Sequence, residues 1–140
     1  MSTEENKATY RRFFEGVMNR KDMTLLDELL AEDVASHAEP PPGFPDGAEG
    51  YKLMVGVLHG AFPDMHVEID SLVAEGDLVV GHHTTTGTHT GELMGMPATG
   101  RSVKVEGLHM VRFTGGRISE YCFQTDMMGL MQQLGALPSS

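Results

Sequence analysis

The chain has 140 residues and a formal net charge of −10, from 20 Asp and Glu against 10 Lys and Arg. That length suits a single domain spanning 1–140 with a real core, and the acidic surface disfavours nucleic acid and anionic membranes as partners. Cys122 is the only cysteine, so no internal disulfide can form. Met1 to Lys7 lacks the basic and apolar regions of a signal peptide, and no stretch approaches the ~20 apolar residues of a membrane span. The expectation is a cytoplasmic protein.

Ser2-Thr3-Glu4-Glu5 has the character of a capping box, and Tyr10, Phe13, Phe14, Val17 and Met18 follow at helical spacing. Asn19 to Lys21 closes this first helix. Asp22 caps a short second one presenting Leu25, Leu26, Leu29 and Leu30, and Asp33 to His37 reads as a brief extended piece. Glu39 to Gly47 holds four prolines and is expected to be a surface loop or lid, because proline removes a donor and fixes φ. Gly47 to Phe62 reads as a third helix with Tyr51, Met54, Val55 and Leu58 on one face.

After Pro63-Asp64 the period changes to two. Met65, Val67, Ile69 and Val73 alternate with polar residues up to the turn at Glu75-Gly76-Asp77, and Leu78 to Thr90 is a threonine-rich second strand. Gly91 to Gly100 is a connection; being glycine-rich without lying between a strand and a helix, it is not a phosphate cradle. Val103 to Phe113 is the next strand, Thr114-Gly115-Gly116 a tight turn, Arg117 to Thr125 the last strand, and Met127 to Leu134 a closing helix ended by Gly135. Three helices, a four-stranded meander and a final helix predict an α+β fold. Its curved antiparallel sheet packs against the N-terminal helices as a cone-shaped barrel with an internal pocket.

One residue in the meander stands out. Side chains alternate across a strand, so His109 shares a face with Val103, Val105, Gly107, Val111 and Phe113, while Lys104, Glu106 and Arg112 take the other. A titratable ring on an inward apolar face is either a satisfied core group or the polar centre of a pocket. Other histidines offer no metal site by local spacing: His82 and His83 point to opposite faces, and His83 and His89 lie roughly 20 Å apart along an extended chain. No metal is expected.

The text of the chain then resembles a known family. Asp22 to Asp33, Ala61-Phe62-Pro63-Asp64, Glu75 to Val79, Gly87 to Glu92, Met94 to Arg101 and Gln132-Gln133-Leu134-Gly135 together are similar to the SnoaL-like polyketide cyclases, in the same order and over nearly the whole chain. The resemblance implies a nuclear-transport-factor-2-like cone that forms homodimers or tetramers, with a deep pocket for a small apolar metabolite and no cofactor. It also implies ring closure by an intramolecular aldol reaction, which needs a base beside a carbonyl and donors for the enolate.

The resemblance places the family's pocket histidine at His109, and Phe123 where those cyclases carry their acid–base aspartate. Asp126 is the nearest carboxylate to that position, although it directly precedes the last helix and suits an N-cap. The candidate catalytic residues are therefore His109 and Asp126. The candidate substrate-binding residues are His37, Met54, Val105, Gly107, Tyr121 and Phe123. Ring closure is the leading reading; isomerisation, epoxide opening and a non-catalytic ligand-binding or accessory role are the alternatives, the last favoured by Phe123.

Overall fold

A computed structural model describes residues 2–37, 40 and 42–137. Helix α1 (Thr3–Phe14) begins with the capping box foreseen from the sequence: the Ser2 hydroxyl accepts from the Glu5 amide, and the Glu5 carboxylate accepts from the Ser2 amide. Its last turn differs from the expectation, widening into a π-helical turn over Glu15–Asn19. Asn19 leaves that turn to clamp the neighbouring sheet. Its side-chain amide donates to the Val67 carbonyl at 2.9 Å, and its carbonyl accepts from the Val67 amide at 2.7 Å.

Helix α2 (Met23–Leu29) is capped by Asp22, which accepts from the Thr24 amide. It runs without a linker into β1 (Leu30–Ser36). Here the structure corrects the four-stranded meander: β1 adds a fifth strand, pairing in parallel with β5, and Leu30 is extended rather than helical. The predicted proline loop falls partly outside the described residues, at Glu39 and Pro41. Helix α3 (Gly47–Ala61) follows, then β2 (His66–Glu75), β3 (Leu78–Thr88), β4 (Ser102–Thr114), β5 (Arg117–Thr125) and α4 (Met127–Gln133).

The strands form one sheet in the order β1-β5-β4-β3-β2. It is curved and stays open, since β1 and β2 are its two free edges, so the expected barrel is a half-cone rather than a closed one. Helices α1 and α3 pack on the concave face and bury Tyr10, Phe13, Phe14, Val17 and Val55 against Val79, Val103, Val105, Val111 and Phe113. One irregularity sets the register near the site. Ile118 pairs with Phe113 and Glu120 with Arg112, leaving Ser119 as an extra residue on β5. That bulge reverses the parity of the strand, which puts Ile118, Tyr121 and Phe123 on the same inner face.

Candidate functional site

The site is built from strand register. On β3, Val79, Gly81 and His83 face inward, and β4 presents Gly107 and His109 beside them. Gly81 pairs with His109 and His83 with Gly107, so each imidazole lies across from a glycine and the two histidines are diagonal neighbours. The two rings stack, centroids 4.4 Å apart and planes 12° from parallel.

Phe123 pairs with His109 from the other side and stacks on it at 5.4 Å and 19°, and Tyr121 stacks on Phe123 at 5.7 Å and 7°. Helix α1 supplies the lid of this row of rings. Phe14 meets both imidazoles edge-on, at 4.9 Å for His83 and 5.3 Å for His109. The Tyr10 hydroxyl lies 2.6 Å from His83 Nε2 and 3.3 Å from the His109 carbonyl oxygen, to which it can donate. A side chain at Gly81 would collide with that hydroxyl, so the glycine makes room for the contact.

His83 is 1% exposed, and burial pushes its pKa down to about 4. His109 is partly exposed; burial of its ring and, secondarily, the neighbouring His83 push it down to about 3. Both are neutral at neutral pH. The Tyr10 and Tyr51 hydroxyls are held well above the ordinary tyrosine value by burial, so both remain protonated donors. Among the described residues the His109 ring nitrogens have no hydrogen-bond partner, and they are not sealed from solvent. That edge is available to a ligand.

His109, Tyr121 and Phe123 come together, with Phe13, Phe14 and Tyr51, around a cavity of about 10 Å³, room for about one water. The deep pocket that was expected is thus occupied by the protein's own aromatic rings. Phe123, 39% exposed, stands at its mouth.

The remaining predicted residues lie elsewhere. Val105 is buried on the same face but does not line the cavity, and Met54 is half-buried on α3 while Tyr51 from that helix reaches the lining. Gly107 pairs with His83 across the ladder, and a side chain there would crowd Gln124 and Thr125 of β5. His37 bonds through Nε2 to the Glu120 carboxylate at 2.6 Å and does not line the cavity. Asp126 caps α4, accepting from the Gly129 amide at 2.9 Å, and is exposed. Among the described residues no carboxylate bonds to the His109 ring, and no group of three or more His, Cys, Asp or Glu is placed to hold a metal.

Sequence reasoning passed over His83, Tyr10, Phe14 and Tyr51 as site residues. His83 was legible in principle, since it shares the parity of Val79 on β3.

The model of the SnoaL-like polyketide cyclase family matches residues 8–134, and the chain belongs to that family. Its relatives are polyketide cyclases. It is 28% identical over 111 residues to the nogalonic acid methyl ester cyclase of Streptomyces nogalater, covering 79% of this chain and 83% of that one. It is 34% identical over 90 residues to the aklanonic acid methyl ester cyclase DnrD of Streptomyces peucetius, covering 64% and 62%. Among solved structures it resembles TsrD of Streptomyces laurentii, with a TM-score of 0.87 and 27% identity over 98% of this chain and 99% of that one. AclR of Streptomyces galilaeus, a candidate hydroxylase, gives a TM-score of 0.83 and 33% identity over 98% and 100%. Among the described residues no helix is long and apolar enough to cross a membrane.

Proposed function

We propose that this protein closes a ring in a carbonyl-bearing aromatic polyketide ester, of the kind its relatives cyclise, with His109 carrying the proton. The observation that supports this most is the free edge of His109, the one imidazole among the described residues lining an otherwise largely apolar cavity. Neutral at neutral pH, His109 can take the proton from the carbon between two carbonyls. The enolate carbon attacks a third, remote carbonyl carbon of the same molecule, a C–C bond forms, the C=O π pair moves onto oxygen, and that alkoxide receives the proton back from the imidazolium. No atom is lost and nothing is oxidised, so the chemistry calls for no cofactor.

The depressed basicity of His109 works against the first step by ~1.4 kcal/mol per pKa unit of mismatch. Contact between enolate and imidazolium in a medium of low dielectric offsets this, and the same acidity speeds the return of the proton. A polyketide needs a few hundred Å³. A polyketide therefore enters only once the cavity widens, with Phe123 and Tyr121 remaining as its apolar walls. In this reading the protein acts in the cytoplasm as a homodimer or tetramer, and the exposed Leu108 on the outer face of β4 supports self-association.

The test is incubation with nogalonic and aklanonic acid methyl esters without added cofactor, read by chromatography for a product of unchanged mass. Conversion that vanishes in His109→Asn supports the reading; conversion equal to wild type in that variant refutes it. A second reading, a ligand-binding protein without chemistry, is favoured by Phe123 at the acid–base position. It is the outcome if the esters bind and neither is converted.

A further inference from the structure

His109 performs acid–base chemistry in the proposed reaction, yet no described carboxylate touches its ring. An imidazolium left in an apolar cavity would carry a charge with no compensation, a costly state unless something else stabilises it. The structure supplies a different neighbour on each face.

Below His109 lies His83, its plane 12° from parallel at 4.4 Å, and above it lies Phe123, 19° from parallel at 5.4 Å. Both centroids fall within the ~6 Å at which a cation is attracted to the electron-rich face of an aromatic ring. Phe14 completes the enclosure edge-on. We propose that Phe123 and His83 form a π sandwich that stabilises the His109 imidazolium from its two faces, taking over the task that a carboxylate performs elsewhere. The proposal rests on the reading of His109 as the proton carrier.

The sandwich requires His83 to stay neutral, as it does near neutral pH where turnover is proposed; below its own pKa of about 4 it becomes charged and pushes His109 down instead. Two features hold it neutral. His83 is 1% exposed, and its Nε2 is 2.6 Å from the Tyr10 hydroxyl, which can donate to it and is kept protonated by burial. The other titratable groups around this cluster are Tyr51 on α3 and Tyr121 and Cys122 on β5, with Asp70 and His82 acting on His83 from β2 and β3. Phe123 is thus a positioning residue acting through His109, and so is His83.

The test varies the electron density of the Phe123 ring at nearly constant shape. Phe123 is replaced by 3,4,5-trifluorophenylalanine, whose fluorines withdraw charge from the ring face, and separately by Leu, and His83 by Phe. The protonation midpoint of His109 is followed by NMR of labelled histidine without substrate, in the wild-type background and in the His83→Phe background, where no second imidazolium can form beside it. A shift is readable from the native foot of the curve even where acid unfolding intervenes.

The proposal expects the trifluoro and Leu forms to lower the midpoint by about half a unit, a threefold loss of imidazolium at a given pH. It expects His83→Phe, which keeps a ring face, to leave the midpoint unchanged or raise it. With a turned-over ester, the trifluoro form should lower kcat about threefold. An unchanged or raised midpoint in the trifluoro form overturns the sandwich whether or not any substrate is found. Failure to turn over any ester, with the midpoint lowered as expected, counts against the proposed reaction alone.

Discussion

His83 and His109 stack face to face, 4.4 Å between centroids, as diagonal neighbours on adjacent strands, each paired with a glycine. Two buried neutral imidazoles make the stability of the fold depend on pH. Their folded pKa values, about 4 and about 3, lie below the unfolded value of 6.5. Between these limits the unfolded chain binds the extra protons, so stability is full above pH 6.5 and is lost as the pH falls. Well below pH 6.5 the slope should approach about 1.4 kcal/mol per pH unit for each histidine. Glu120 and Asp64, whose carboxyls are held below their ordinary values by hydrogen bonds, add losses only at lower pH. Urea titrations from pH 7 to 4.5 check this, and a His83→Phe/His109→Phe double variant should flatten the slope.

Tyr10→Phe should destabilise the protein by about 1–3 kcal/mol, because it strands the buried Nε2 of His83. Replacing both Tyr10 and His83 by Phe should cost less than the sum of the single changes, since no polar group is then left unpaired. Chemical denaturation of the four proteins closes the cycle.

Gly81→Ala tests the packing that creates the pair. The new methyl would collide with the Tyr10 hydroxyl and lie 2.9 Å from His83 Nε2. A loss of about 1–3 kcal/mol is expected, with a change in the His109 NMR shift as the stack is disturbed. An unaltered shift would show that the stack does not depend on this gap.

Phe123→Asp places a carboxylate against His109 at a partly exposed position. Its attraction should raise the His109 midpoint by a unit or more, about tenfold in proton affinity. Ester cyclisation should increase with it, whereas Phe123→Leu should reduce it. NMR titration and initial rates measure the two effects separately.

Much of this was legible in the chain. Strict alternation from Val103 to Phe113 placed His109 inward, and the Asp126 cap and both ends of α3 followed from local rules. What escaped depended on distant partners. Leu29-Leu30 reads as one apolar helical run, yet Leu30 turns extended because β5 offers an edge to pair with. His83 carried no local mark of its role, which arises only when register sets it against Gly107 and α1 brings Tyr10 over it. The narrowness of the cavity likewise reflects how Phe13, Phe14 and Tyr51 from two helices fill the concave face, a packing outcome that periodicity does not encode.

The most direct measurement is the single-turnover rate of His109→Asn on a polyketide ester that the wild-type protein cyclises, alongside the affinity of that variant for the same ester. Asparagine keeps a polar group at the cavity but cannot carry a proton through the cycle. The account predicts a fall of about 10²–10⁴-fold in rate with binding retained within a few-fold. Cyclisation by His109→Asn at the wild-type rate would contradict it.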